Sequence, residues 1–109
     1  MANKFRANTL QEPIALAENL SAHSDGTHVW NGGEGMFSAD ATWNGGTVKL
    51  QFRFHADTTW IDVGSDTELT AKGGGGFKLP PCRIRVNIAT ATAVYAYVQP
   101  LPIVTGKRN

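Results

Sequence analysis

The sequence predicts an all-β fold: a single antiparallel β-sandwich, jelly-roll-like, of about eight short strands. Three observations lead there. Apolar and polar residues alternate with period two in several runs, most cleanly over 47–55, 83–88 and 94–98. Turn signals built from Gly, Asn, Asp and Pro separate these runs at short intervals. The chain of 109 residues, 41% of them hydrophobic, suffices for one core and leaves little for a second.

Taken in order, residues 1–12 are polar and patternless and read as an extended N-terminal arm. Residues 13–100 form the sandwich domain and 101–109 a C-terminal tail. Residues 13–22 are ambiguous between helix and strand, and Ile14, Leu16 and Leu20 favour a strand. Trp30 and Trp43 each run into Asn-Gly-Gly. Asn-Gly is the strongest short hairpin signal, because both central residues of a type I′ turn need positive φ. Along 47–55, Val48, Leu50, Phe52 and Phe54 point one way and Lys49, Gln51 and Arg53 the other.

Asp57-Thr58 predicts a turn, 59–63 a returning strand with Trp60 on one face, and 68–71 a short strand. Gly73 to Gly76 reads as a flexible turn, and Pro80-Pro81 blocks ladder pairing. Ile84, Val86 and Ile88 then alternate with Arg83, Arg85 and Asn87, and Val94, Ala96 and Val98 with Tyr95, Tyr97 and Gln99. This pattern predicts a C-terminal hairpin whose outer face sets the arginines beside the tyrosines. Trp30, Trp43, Phe52, Phe54 and Trp60 are the aromatic side chains expected in the core.

Charged residues are 17% of the chain and the formal net charge is +1. This balance gives no reason to expect a nucleic-acid partner. No apolar run approaches a membrane span, and residues 1–11 do not read as a secretory signal. Cys82 is the only cysteine, so no intrachain disulfide is expected and stability must come from packing, as suits a reducing cytoplasm.

No motif carries chemistry. His23, His28, His55 and Cys82 lack zinc-ligand spacing, so no metal is expected. Asp57, Asp62 and Asp66 read as turn initiators rather than a calcium loop. The glycine run lacks the Gly-Lys-Ser/Thr of a phosphate loop, and no nucleophile elbow is present. No catalytic residue and no cofactor are expected; the chain reads as a binding protein, not an enzyme. Arg83, Arg85, Tyr95 and Tyr97 are the candidate interaction surface, since exposed Arg and Tyr are enriched at interfaces. The same residues also fit ordinary cross-strand pairing.

Five stretches together carry a resemblance: 43–51 with Trp43-Asn-Gly-Gly, 59–64 with Trp60-Ile-Asp-Val-Gly, Phe77-Lys-Leu-Pro, Arg83-Ile-Arg-Val-Asn-Ile, and Ala93-Val-Tyr-Ala-Tyr-Val. Their pattern resembles small virion structural proteins of tailed bacteriophages over about Trp30 to Gln99. The resemblance implies a capsid decoration, or cement, protein made in the host cytoplasm and carried in the virion. Its implied partners are the major capsid protein and further copies of itself, a trimer among the possible forms. Lys4, Phe5, Arg6 and Leu10 are the candidate arm contacts. A tail or fibre component, or a carbohydrate-binding module touching the host surface, is the alternative, with Trp30, Trp43, Tyr95 and Tyr97 as stacking platforms.

Overall fold

The computed structural model describes residues 13–24, 26–54 and 58–101. The strands are β1 (Ile14–Leu20), β2 (His28–Trp30), β3 (Gly33–Thr42), β4 (Thr47–Arg53), β5 (Ile61–Asp62), β6 (Glu68–Leu69), β7 (Gly73–Leu79), β8 (Cys82–Ala89) and β9 (Thr92–Pro100), with a 3-10 turn at Ser65–Thr67 before β6. Sheet I has the order β1-β9-β3-β7. Sheet II has the order β2-β8-β4-β5, and β6 shares the outer edge of β4 with β5. All pairings are antiparallel.

Counting β5 and β6 as one interrupted strand, the pairs nest: β1 with β9, β2 with β8, β3 with β7, β4 with β5/β6. One long antiparallel ribbon is thereby rolled into two sheets, which is the jelly-roll arrangement of eight strand positions. Between the sheets lie Leu16, Trp30, Phe37, Val48, Leu50, Phe77, Ile84, Val86, Val94, Ala96 and Val98, all buried. Removing each large aliphatic or aromatic side chain here from water is worth about 1.5–3 kcal/mol. Trp30 meets Phe77 at a ring-centroid distance of 4.9 Å.

The alternating run at 14–20 is interrupted twice. Register shifts in the β1–β9 ladder leave Leu16 and Asn19 without a directly opposed partner. Asn19 takes a positive φ of 60°, a conformation Asn tolerates at a bulge. The bulge at Leu16 explains why both it and Ala17 are buried although adjacent.

Several expectations are corrected. The last two strands do not form a hairpin: β8 pairs with β2 and β4, β9 with β1 and β3. The link at residues 90–91, with Thr90 at φ 69°, carries the chain from one sheet to the other. Period-two alternation marks which face is buried but not which sheet buries it, so both arrangements satisfy the same pattern. The two Trp-Asn-Gly-Gly signals also cross between sheets. Asn44 and Gly45 have φ of 53° and 77°, and Gly46 N–H donates to Trp43 O at 2.6 Å, a type I′ turn. In the first copy the positive φ values fall instead on Gly32 and Gly33.

The glycine run is not a turn but the first half of β7, facing residues 36–39 of β3. A side chain is excluded at Gly75 because the backbone of Asp66 sits against it, and at Gly74 a Cβ would stand 2.7 Å from Phe37 O. The glycines let the 3-10 turn close over the open side of the sandwich, with Thr67 buried and its Oγ1 donating to Gly64 O. Phe54 and Trp60 are corrected as well. Phe54 lies beyond the end of β4 and is exposed, in edge contact with Phe52. Trp60 leaves the ladder, which shortens the returning strand to Ile61–Asp62.

Candidate functional site

Since the two sheets bury their inner faces against each other, candidate function lies on the two outer faces. The predicted interaction surface divides between them. Arg83 and Arg85 lie on the outer face of sheet II, and Tyr95 and Tyr97 on that of sheet I. Lys4, Phe5, Arg6 and Leu10 lie outside the described residues, as does His55.

On sheet II, Lys49, Gln51 and Arg53 of β4 face outward opposite Asn87, Arg85 and Arg83 of β8. Gln51 is the hub and is itself buried. Its Nε2 donates to Asp62 Oδ1 at 2.8 Å, and its Oε1 accepts from Arg85 Nε at 2.9 Å and Asn87 Nδ2 at 3.4 Å. Lys49 Nζ reaches Asp62 Oδ2 at 3.1 Å. The hydrogen bond from Gln51, then that from Lys49, holds the Asp62 carboxyl below its ordinary pKa. Burial pulls the Arg85 pKa down, though a guanidinium stays charged.

Arg53 and Arg83 are direct cross-strand partners, so like charges are opposed. Trp60 offsets part of that repulsion. Its ring lies 5.2 Å from the Arg53 guanidinium and 4.7 Å from that of Arg85, measured to the ring centroid. The indole also covers Gly26, whose φ is 77° and where a Cβ would stand 2.6 Å from Trp60 Cζ2. Arg83 Nη1 is 3.5 Å from Thr27 O. Beside it a hollow of about 230 Å³ opens between Val29, Pro81, Cys82 and Arg83. Cys82 is buried, and burial pushes its thiol pKa up, which keeps it protonated and unreactive.

The outer face of sheet I is different. Tyr95 and Tyr97 oppose Asp40 and Ser38 of β3. Gly74 and Gly76 oppose Ser38 and Met36 from the other side and add no side chain. A groove of about 360 Å³ lies on this face, lined by Ser38, Ala39, Asp40, Lys72 and Gly73 and walled by the two tyrosines. Sequence reading found the tyrosines but missed Ser38, Asp40 and Lys72, because only strand order places them side by side.

Trp30 is 2% exposed, so it is a core residue and cannot act as a stacking platform. Trp43 is half-buried against the core. Among the described residues, no group of three or more His, Cys, Asp or Glu side chains is placed to hold a metal ion. His23 Nδ1 instead accepts from Ile88 N–H at 3.1 Å, and Ser24 Oγ from Val86 N–H at 2.9 Å. No protein-family model, no curated protein and no solved structure matches this chain.

Proposed function

We propose that this chain is a non-catalytic structural protein of a bacteriophage virion, decorating the outer surface of the assembled head and stabilising it. The reading starts from the sequence resemblance to small virion proteins. The observation that carries it is that β1 begins and β9 finishes at the same end of the sandwich. Ile14 and Val98 are cross-strand partners, and Ile14 and Pro100 flank one small hollow with Trp30, Asn31 and Gly32. Leu101 N–H donates to Glu34 O at 2.9 Å. The twelve residues before Pro13 and the eight after Leu101 therefore join the sandwich at the same end.

Two segments issuing together from a rigid body suit attachment to neighbours on a lattice. Backbone pairing to a sheet edge supplies hydrogen bonds without demanding particular side chains. Many weak contacts repeated over a shell add up to tight retention. The major capsid protein and further copies of this chain, as a homo-oligomer, are the partners of this reading. The Trp60–Arg85 face, flanked by exposed Val29 and Phe54, supplies the Arg and aromatic anchors typical of interfaces.

Purified particles test the proposal. The chain is expected in many copies per particle, as density on the outer face of the head. A chain lacking residues 1–12 is expected to stay folded yet fail to load onto undecorated heads. Absence from purified particles, or a location confined to the tail, refutes the decoration role.

A further inference from the structure

We propose that the groove on the outer face of sheet I binds a neutral saccharide. It unites three things a pyranose ring needs. Tyr95, 44% exposed, and Tyr97 give flat aromatic surface for the C–H face of the ring. Asp40 and Ser38 stand directly across the strand from them and accept or donate to ring hydroxyls. Lys72 lies at the far wall, its Nζ 3.9 Å from Asp40 Oδ2, and adds an N–H donor.

The groove is preformed. Asp40 Oδ1 accepts from the backbone N–H of Ala41 at 2.8 Å, which fixes the carboxylate and leaves Oδ2 toward Lys72. Ala39 and Gly73, cross-strand partners, lie in the lining with Ser38, and neither carries a bulky side chain to fill it. The volume of about 360 Å³ is at the small end of the range for ligand sites and suits one or two sugar rings.

Charge selects among ligands that stack. Asp40 and Lys72 pair with each other, and Glu18 stands opposite Tyr95 on its other side. Within the groove the one ammonium is already paired with a carboxylate, and Glu18 adds negative charge beyond Tyr95, so no free cation is left for a phosphate or polyuronate. A polyhydroxylated neutral ligand can use the carboxylate as acceptor and the ammonium as donor together. The groove is open to solvent, so each site is weak, and repetition of the chain on a surface multiplies its affinity. This site is independent of the capsid reading, as it uses the sheet opposite the arginine face.

The test is a titration of the isotopically labelled full chain, followed by NMR, with maltohexaose, mannohexaose, galactotetraose and chitohexaose, and with hexagalacturonate as the acidic comparison. At least one neutral oligosaccharide is expected to shift the amides of Ser38, Asp40, Lys72, Tyr95 and Tyr97, and hexagalacturonate is not. Tyr97→Ala and Asp40→Asn are expected to weaken binding about tenfold or more with the circular dichroism spectrum unchanged. Glu68→Gln, an exposed position on the other sheet, is expected to bind as the parent does. Should Tyr97→Ala unfold, the exposed Tyr95→Ala takes its place. The proposal is overturned if no neutral probe moves the groove, if the shifts map elsewhere, if the acid binds equally, or if the folded variants bind unchanged.

Discussion

The guanidinium of Arg85 lies over the indole of Trp60, 4.7 Å from the ring centroid, while its Nε donates to Gln51. One arginine thus ties a loop aromatic to the polar centre of a sheet face. Arg53 meets the same indole at 5.2 Å, so two cations share a ring.

Trp60→Ala removes both cation–π contacts and uncovers Gly26. Each contact is worth about 0.5–1 kcal/mol at an exposed site, so the expected loss is about 1–3 kcal/mol in urea unfolding. Arg85→Lys keeps the charge but loses the planar stack and the Nε donor, and is expected to cost about 0.5–1.5 kcal/mol. A Trp60→Ala protein as stable as the parent would show that the indole does not hold this face together.

Acid should weaken the same face through Asp62. Gln51, then Lys49, lowers its pKa in the folded chain below the ordinary value of 3.8. Its contribution is complete above that value and is lost as pH falls through the lower folded one. Urea midpoints taken between pH 7 and about 2.5 should therefore drop less steeply for Asp62→Asn than for the parent over the acid end of the range. Parallel curves would mean that Asp62 gains nothing from its two partners on folding.

Gly35 and Gly45 should respond differently to alanine. At Gly35 a Cβ would stand 2.6 Å from Trp30 Cη2 and 2.8 Å from Phe77 Cζ, so Gly35→Ala must push the core apart at about 1–3 kcal/mol. Around Gly45 nothing lies within 4 Å, and only its φ of 77° opposes a side chain, at about 1–2 kcal/mol. Repacking at Trp30→Phe is expected to relieve Gly35→Ala and leave Gly45→Ala unchanged. Thermal melts of the double variants read this directly.

The all-β class, the inward positions of Val48, Leu50, Ile84, Val86, Val94 and Val98, and the turn at Asn44-Gly45 were legible in the sequence because each follows from local alternation or a local φ requirement. What was not legible depends on strand order. Arg85 and Tyr97 alternate with core residues in the same way, yet they face opposite directions across the sandwich. Gly73 to Gly76 carries the composition of a loop, and only the approach of Phe37 and Asp66 makes it a strand. Trp60 has the apolar character of a core residue, and two arginines from different strands hold it outside. The groove on sheet I is legible only once Ser38, Asp40 and Tyr97 are known to be neighbours.

The nested pairing of β1 with β9 and β2 with β8 also sets the order in which the molecule can be completed. The contact of Ala93 N–H with Ser21 Oγ spans 72 residues, while β4 and β5 meet across a single loop. During synthesis the inner pair can close early, but β1 waits with its backbone unsatisfied until the last strand leaves the ribosome. Contacts so distant in sequence make folding slow, on the order of milliseconds to seconds. Until then the partly built sheets expose edges open to the wrong neighbour. A chain stopped before Thr92 should therefore accumulate as aggregate rather than as a smaller stable domain.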